Sequence, residues 1–318
     1  MSTTTGGSTA VGQTPDRSRG GAGAPPSGRG TRGRGSRAYL WMVLPAFLLF
    51  FAFHTFPVLQ GVFFSFTDSP GYGEWGFVGL SNYTALFTDP RIGHAYLFTA
   101  QFAVVATILT NVLALAIAVG LNGKIKFRTT LRAVYFIPYV LAILVVGYVF
   151  QYLFTFSIPA MAEALGVEAL TTSILADESW AWVAIVVLAV WQSTAFSIVL
   201  YLAGLQTVPA ELYEAASLDG ASAARRFRSI TFPMIFGFFT INMVLSLKGF
   251  LQVFDHIFAL TAGGPGTATE SVGVLIYRGG FQGGEYGYQL ANAVLFMIVI
   301  IAFAVFQLRV LQGREEQA

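Results

Sequence analysis

The sequence predicts an all-α polytopic membrane protein with six transmembrane helices, and three observations support this fold class. Apolar residues make up 55% of the 318 residues and charged residues only 11%, about half the charged share of an ordinary soluble domain. Six apolar runs are long enough to cross a hydrocarbon core of ~30 Å as helices of ~20 residues. The alternating ~10-residue segments of a membrane β-barrel do not occur in the sequence.

Residues 1–38 form the first predicted region, a disordered basic tail on the cytoplasmic side. They contain Gly, Ser, Thr, Pro and six arginines, with too few apolar groups for packing to offset the entropy of ordering. No aromatic residue separates the arginines, which disfavours nucleic-acid binding and favours a role in fixing the membrane topology. The apolar stretch that follows is longer than the core of a typical cleaved signal peptide.

A transmembrane domain is predicted at 39–312, followed by a short cytoplasmic tail at 313–318. The six spans are placed near 39–65, 95–121, 131–156, 181–205, 233–258 and 289–310. Fifteen Lys and Arg residues lie in the N-terminal tail, the loops after the second and fourth spans, and the C-terminal end, whereas the opposite loops hold only Arg91 and Arg278. The positive-inside rule therefore predicts a cytoplasmic-membrane protein with both termini in the cytoplasm.

Residues 206–232 form a polar segment on the predicted cytoplasmic side. Pro209 favours the start of a helix, and Glu214 stands near the positive end of that helix. A DG dipeptide ending at Gly220 favours a turn with positive φ, after which "ASAARRFRSI" favours a second helix that runs to Pro233. The segment is therefore predicted to form a helix-turn-helix across the cytoplasmic mouth of the bundle.

This segment resembles the EAA loop of binding-protein-dependent ABC importers, in which Glu-Ala-Ala, a later Gly and an Ile-x-x-Pro recur. The resemblance implies a coupling helix that seats in a groove of a separate ATPase subunit. The coupling residues that it implies are Glu214, Ala215, Ala216, Asp219, Gly220, Phe227, Ile230 and Pro233. An ordinary amphipathic loop between two spans is the alternative interpretation.

A second signature narrows the resemblance to the carbohydrate-uptake branch of this family. "GFLQVFDHIFALTAGGP", residues 249–265, is similar to the end of the fifth span in inner-membrane subunits for maltose and glycerol phosphate, where Phe-Asp and Leu-Thr-x-Gly-Gly-Pro recur. Residues 78–90 and 203–216 add to the match, which covers the chain from residue 39 onward. One departure occurs at Phe232 and the following "MIFGF", where many members have Leu and a second Pro.

The resemblance implies the fold of the type I ABC importer transmembrane domain and the function of a permease subunit. The substrate would be a mono- or oligosaccharide, or a related polyol or sugar phosphate. The implied partners are a second permease subunit in a heterodimer, a cytoplasmic ATPase dimer that binds ATP and Mg, an extracytoplasmic solute-binding protein and membrane lipid. No nucleic acid is implied.

Polar residues within the predicted spans are candidates for lining a path, because unpaired polar groups are costly in hydrocarbon. They are Gln101, Asn111, Gln192, Asn242, Lys248, Gln252 and Asp255. For Asn111 and Asn242, an interhelical hydrogen bond and a substrate contact are equally favoured. Lys248 and Asp255 stand seven residues apart, two turns along one helical face, which favours a structural charge for Lys248.

The resemblance to maltose permeases implies a more specific cluster of sugar contacts. Its positions are Tyr139, Ile143, Gln192, Ser193, Ser246, Phe250 and Val253. Gln252 and Asp255 join them as polar residues of the fifth span. An aromatic face with a few amides and hydroxyls suits a sugar, which offers both C–H faces and hydroxyl groups.

Several other functions are disfavoured by the sequence. The chain has no cysteine, and its three histidines are too scattered to suggest a metal site. It lacks the G-x-x-x-x-G-K-[ST] phosphate loop and any nucleophile elbow, so we expect neither an enzyme nor a cofactor in this chain. A stand-alone secondary transporter would typically show inverted repeats and broken helices at matching positions. A receptor or scaffold without transport would leave the coupling motif unexplained.

Overall fold

The structure, a computed structural model, describes residues 35–123 and 125–315. The predicted basic tail up to residue 34 and the last three residues of the chain lie outside the described residues. The side chains of residues 35–40, Leu308 and residues 310–315 also lie outside the description.

Helices account for nearly all the regular structure in the described part of the chain. In chain order they are α1 Gly35–Phe50, α2 Phe56–Phe64, α3 Ser81–Leu86, α4 Pro90–Asn122, α5 Arg128–Val140, α6 Ile143–Tyr152, α7 Ile158–Leu165, α8 Ala181–Leu205, α9 Ala210–Leu218, α10 Ala223–Arg226, α11 Phe232–Met234, α12 Phe236–Leu251, α13 Asp255–Leu260, α14 Val272–Tyr277 and α15 Tyr286–Glu315. Wider π-helical turns occur at Phe51–Thr55, Leu153–Ser157, Phe227–Thr231 and Arg278–Gln282. One isolated antiparallel bridge, between Thr67 and Phe77, is the β structure found in the described ranges.

Five helical stretches are long and apolar enough to cross a membrane, and one bent pair raises the number to six within the described residues. They are Trp41–Phe64, Pro90–Asn122, Ile143–Leu165, Ala181–Leu205 and Tyr286–Gln307, with the pair Ala223–Met234 and Phe236–Leu251. Because each exceeds or approaches the ~20 residues that a bilayer core requires, the predicted all-α polytopic class is confirmed.

The chain divides into two compact units, Met1–Thr55 and Phe56–Ala318. In the first unit, α1 is followed by a π-helical turn at Phe51–Thr55, and every described side chain from Trp41 to His54 is exposed. These mostly apolar side chains therefore form no core within their own unit.

The second unit is organised around α4 and α8. Phe102 of α4 and Ile185 and Leu188 of α8 are at most 1% exposed. Ala103 and Ala106 of α4 are also fully buried, and small residues of this kind let helix backbones approach closely in membranes. The central pair α4–α8 is thus the frame against which α5 and α12 pack.

The predicted third span, 131–156, is not one helix. α5 ends at Val140 and α6 begins at Ile143, with Leu141 and Ala142 in extended conformation between them. The Gln192 side chain, at mid-length in α8, donates to the carbonyl oxygens of Pro138 at 3.2 Å and Leu141 at 3.0 Å. These bonds satisfy carbonyls at the break, which is how irregular backbone is tolerated at membrane depth.

The predicted fifth span, 233–258, is also interrupted. A bend of 71° separates Ala223–Met234 from Phe236–Leu251, at the point where the sequence departs from the family pattern. The helix then ends at Leu251, and α13 begins only at Asp255. Lys248 and Asp255 therefore do not share one helix, so the prediction that they lie two turns apart along one helical face is wrong.

A buried carboxylate connects the start of α4 with the segment before α14. Glu270 is 1% exposed and accepts two hydrogen bonds from Arg91, from Nε to Oε2 and from Nη2 to Oε1, both at 2.8 Å. The Arg278 Nη1 atom lies 3.8 Å from the same carboxylate. The two arginines that the charge count places in the non-cytoplasmic loops thus share one acidic partner.

The "LTAGGP" loop before Glu270 is closed by threonine hydroxyls. The Thr261 and Thr269 Oγ1 atoms lie 2.8 Å apart, and Thr269 donates to the carbonyl of Gly264 at 2.6 Å. Gly263 has a φ of +93°, in the region that favours glycine. This compact turn sets the position from which Glu270 reaches Arg91.

Candidate functional site

A cavity of about 430 Å³ lies between α6, α8 and α12, where the third and fifth spans are interrupted. It is lined by Tyr139, Ile143, Ser193, Phe196, Ser197, Asn242, Leu245, Ser246, Gly249, Phe250, Gln252, Val253, Phe254, Asp255 and His256. Non-helical backbone at membrane depth is tolerated where it borders a cavity, so the two breaks and the cavity have a common physical origin.

Eight of the nine residues predicted for the path line this cavity. They are Tyr139, Ile143, Ser193, Ser246, Phe250, Gln252, Val253 and Asp255. They come from three regions that are distant in sequence: the break between α5 and α6, the middle of α8, and the second half of α12 with the residues that lead into α13. The structure therefore brings together residues that the resemblance alone had grouped.

Gln192, the ninth predicted residue, lies behind the wall. It is 5% exposed, and its amide nitrogen donates to the two carbonyls at the α5–α6 break. Its Oε1 atom lies 3.0 Å from Nε2 of His256. The amide nitrogen and the amide oxygen of Gln192 thus both bond to residues that form the cavity wall.

His256 lines the cavity and was missed by sequence reasoning. In the sequence, the three histidines were considered only as a possible metal site, for which they are too scattered. The described residues contain no group of three or more side chains that could hold a metal ion. The available signal was its place next to Asp255 at a predicted span end. A titratable side chain in a membrane span either pairs with another polar group or faces a cavity, so His256 could have been named as a candidate cavity residue.

Aromatic rings form one side of the cavity wall. Tyr139 stacks on Phe196 with ring centroids 5.3 Å apart, and Phe250 meets Phe102 of the core edge-on at 6.0 Å. Hydroxyl and amide groups face the same space, and Asp255 is the one carboxylate in the lining. The lining thus combines apolar ring faces with neutral hydrogen-bonding groups.

A network of buried polar groups lies beside the cavity. Tyr201 donates to Asn111 Oδ1 at 2.6 Å, and the Asn111 amide reaches Ser246 Oγ at 3.4 Å. Asn242 lines the cavity and donates to the carbonyl of Ser197 at 3.4 Å. Of the two interpretations left open for the asparagines, Asn111 makes interhelical hydrogen bonds, and the fully buried Asn242 combines such a bond with a place in the cavity lining.

A second candidate site is the helix-turn-helix between α8 and α12. α9 begins after Pro209, and Gly220 follows its end with a φ of +73°, as the sequence predicts. The Ser222 side chain caps α10 by accepting from the Arg225 amide at 3.3 Å. The helix then continues through a π-helical turn to Met234, in agreement with the predicted second helix.

One face of α9 is anchored to the membrane-spanning core. Tyr213 packs beside Tyr201 and Leu205, and its hydroxyl lies 2.9 Å from that of Thr231. Ile230 packs against the same cluster. The inner face of the loop is therefore tied to the ends of α8 and α12.

The other face of α9 is open. Glu214 and Ala215 are exposed, and Leu218 is 90% exposed, an unusual position for a leucine unless another surface covers it. The predicted coupling residues thus divide into two groups. Ala216, Phe227 and Ile230 are half-buried, whereas Glu214, Ala215, Asp219, Gly220 and Pro233 are exposed.

Comparison with known sequences gives a consistent result. The family model described as "Binding-protein-dependent transport system inner membrane component" matches residues 110–316. The chain is 38% identical over 272 residues to the multiple sugar-binding transport system permease protein MsmF of Streptococcus mutans, covering 85% of this chain and 93% of the relative. It is 32% identical over 277 residues to the trehalose/maltose transport system permease protein MalF of Thermococcus litoralis, covering 86% and 94%. The sn-glycerol-3-phosphate permease protein UgpA of Brucella abortus matches with the same identity and coverage.

Comparison with solved structures supports the same fold. A chain of a bacterial ABC transporter that imports the acidic polysaccharide alginate superposes with a TM-score of 0.75 at 22% identity, covering 87% of this chain and 96% of that one. The same transporter in complex with an alginate pentasaccharide-bound periplasmic protein gives a TM-score of 0.76 at 21% identity, covering 88% and 96%.

Proposed function

The chain belongs to the family of binding-protein-dependent transport system inner membrane components, and from that membership we propose that it is the permease subunit of an ABC importer for a carbohydrate. It is a multi-pass membrane protein and not an enzyme, since ATP hydrolysis in this family belongs to a separate subunit. The observation that carries the proposal is the cavity at the two interrupted spans, whose lining combines aromatic faces with neutral polar groups.

The names of the relatives support a carbohydrate or a related polyol as the substrate class. They include permeases named for multiple sugars, for trehalose and maltose, and for glycerol 3-phosphate. The residues proposed to contact substrate are Tyr139, Ile143, Ser193, Ser246, Phe250, Gln252, Val253 and Asp255, with Gln192 holding the wall behind them. A sugar ring would lie against an aromatic face, with its hydroxyls toward serine and amide groups.

The anchored helix-turn-helix supports the proposed ATPase partner. Tyr213 and Ile230 of its inner face pack against the buried cluster that includes Leu205 of α8 and Ile235 just before α12. Its outer face presents Glu214. A displacement of the outer face would therefore be transmitted to the helices that border the cavity. The ATP and Mg would be bound by a cytoplasmic ATPase dimer, and a second permease subunit would complete the pore. The periplasmic protein bound to the alginate transporter supports an extracytoplasmic solute-binding partner.

Substitutions in the cavity test the proposed substrate path. Tyr139→Ala and Ser246→Ala remove an aromatic face and a hydroxyl, and each should weaken the interaction with substrate by ~1–3 kcal/mol, measured as a rise in the KM of uptake. Basal ATP hydrolysis and assembly of the complex should persist. Tyr152→Ala is the matched control, because Tyr152 is 62% exposed and lies outside the cavity lining. Unchanged uptake kinetics in both cavity variants would place the substrate site in the partner subunit.

The charge asymmetry supports the proposed topology, in which the domain at 39–312 has both flanking tails, 1–38 and 313–318, in the cytoplasm. Because the chain has no cysteine, single cysteines can report sidedness. In intact cells, a membrane-impermeant maleimide should label Glu168→Cys and not Lys126→Cys, since these exposed residues lie in loops on opposite sides. Labelling of Glu168→Cys only after permeabilisation would contradict the proposed topology and indicate the opposite orientation.

A further inference from the structure

A groove between α4, α5 and α8 lies outside the cavity described above. It consists of two adjoining cavities of about 380 Å³ and 290 Å³, which share Tyr135, Ala195 and Ile198 in their lining. We call the pair the α4–α5–α8 groove. Because the two cavities have residues in common, a single elongated molecule can occupy both.

The larger cavity is almost entirely apolar. Its α4 wall includes Leu109 and Leu113, both more than two-fifths exposed, and its α8 wall runs from Val186 to Ile198. These thirteen residues of helix are separated by twelve rises of 1.5 Å, which span ~18 Å. That length is close to one leaflet of a hydrocarbon core of ~30 Å. The cavity therefore has the polarity and length of a site for one acyl chain.

The smaller cavity contains a guanidinium with unused hydrogen-bonding capacity. The Arg132 Nε atom is buried and has no hydrogen-bond partner in the described structure, and Nη2 reaches the carbonyl of Leu121 only at 3.5 Å. A guanidinium carries five N–H donors, and a buried charged donor without a partner is costly. An acceptor-rich group beside Arg132 would remove that cost.

Arg132 also lies at the depth where phospholipid headgroups are found. Leu121 is one residue from the end of α4, and Gln206, which lines the smaller cavity, follows the end of α8. Both helix ends lie on the side of the coupling segment, and exposed Lys126 belongs to the loop that precedes α5. Basic groups between helices at this level favour anionic headgroups.

From these observations we propose that the α4–α5–α8 groove binds an anionic phospholipid of the leaflet on the coupling-segment side. Its phosphate accepts hydrogen bonds from Arg132, and one acyl chain fills the larger cavity. A phosphate suits the planar guanidinium because two of its oxygens can accept parallel N–H bonds. The proposal depends neither on the carbohydrate cavity nor on the identity of the substrate.

Native mass spectrometry of the intact, detergent-extracted complex tests this site. The complex is exchanged into dioleoylphosphatidylglycerol or, in parallel, dioleoylphosphatidylcholine, and retained lipid is counted. We expect phosphatidylglycerol to be retained preferentially, and retention to fall roughly tenfold in Arg132→Gln, the scale of losing one charge-assisted pair. Arg128→Gln, an exposed arginine of the same helix outside the groove lining, should behave as the parent.

A second variant tests the acyl-chain half of the groove. Leu113→Trp should fill the larger cavity and reduce retention, whereas Val104→Trp, at an equally exposed position of α4 outside the groove, should not. Equal retention in the parent, Arg132→Gln and Leu113→Trp would overturn the proposal. Displacement of the lipid by inorganic phosphate alone would reduce the site to an anion site. Cross-linking of Leu113→Cys to another subunit, with no lipid retained, would assign the groove to a protein partner instead.

Discussion

A Gly220→Val variant is expected to lose substrate uptake while loading from the solute-binding protein remains intact. Gly220 has a φ of +73°, and no atom lies within 4 Å of the position a Cβ would take. The cost of a side chain is therefore backbone strain of ~1–2 kcal/mol rather than a steric clash. Relief of that strain would turn the second helix of the segment away from the surface that we propose contacts the ATPase.

The chain offers a matched control for strain alone. Gly166, at the end of α7, has a φ of +71° and equally open surroundings, so Gly166→Val introduces the same strain away from the coupling segment. Uptake by vesicles with ATP inside is the measurement. If Gly166→Val reduces uptake as much as Gly220→Val, the loss reflects general destabilisation and not coupling.

Glu214, in the first helix of the same segment, gives a related prediction. Glu214 is exposed, so in the assembled transporter it is free to meet a basic group of the ATPase. Glu214→Ala should weaken ATPase association by ~2–5 kcal/mol if the partner charge is left buried, whereas Glu211→Ala on the same helix should have a smaller effect. A Glu214→Ala, Gly220→Val double variant with parental uptake and parental ATPase affinity would contradict the coupling role.

Loss of Arg91 is expected to have the largest effect on stability. Arg91→Ala leaves the Glu270 carboxylate, which is 1% exposed, with only Arg278 at 3.8 Å, and breaking such a pair costs ~3–5 kcal/mol. Glu270→Ala should cost less, because the Arg91 and Arg278 side chains are 46% and 39% exposed and can reach water. The melting temperature of the purified complex is the measurement.

A double variant separates the unpaired charge from other effects. Arg91→Ala combined with Glu270→Ala removes the stranded carboxylate and should melt at a higher temperature than Arg91→Ala alone. Glu168→Ala, which removes an exposed carboxylate, should leave the melting temperature unchanged. A double variant that melts as early as Arg91→Ala would show that the carboxylate is not the source of the instability.

Hydropathy and short motifs predicted the fold class and the coupling segment, but not the interruptions of the spans. The run "YVLAILVV" around Leu141 contains no Gly or Pro at the break itself, so it reads as a continuous helix. The break is stabilised by Gln192, which lies about fifty residues later in the chain. A local pattern carries no information on such a tertiary bond.

The count of Lys and Arg residues likewise carries no information on tertiary pairing. Arg91 and Arg278 were counted only as exceptions to the positive-inside rule, because their shared partner Glu270 lies 179 residues from Arg91. The seven-residue spacing of Lys248 and Asp255 placed them on one helical face, but the helix ends between them at Leu251. Spacing arguments hold only within one regular element. The grouping of Tyr139 with Ser246 came from family resemblance, which transfers tertiary proximity that composition cannot supply.

The inner and outer faces of α9 place different constraints on the amino-acid sequence. Tyr213 and Ile230 pack against the buried cluster at the end of α8 and so fasten the segment to the bundle, whereas Leu218 and Glu214 lie on the exposed face and are not part of that packing. Substitutions on the outer face therefore leave the folding of the subunit intact. If the outer face contacts the ATPase as proposed, a few outward-facing residues determine which ATPase binds, and that choice can diverge between transporters independently of the substrate that the membrane domain carries.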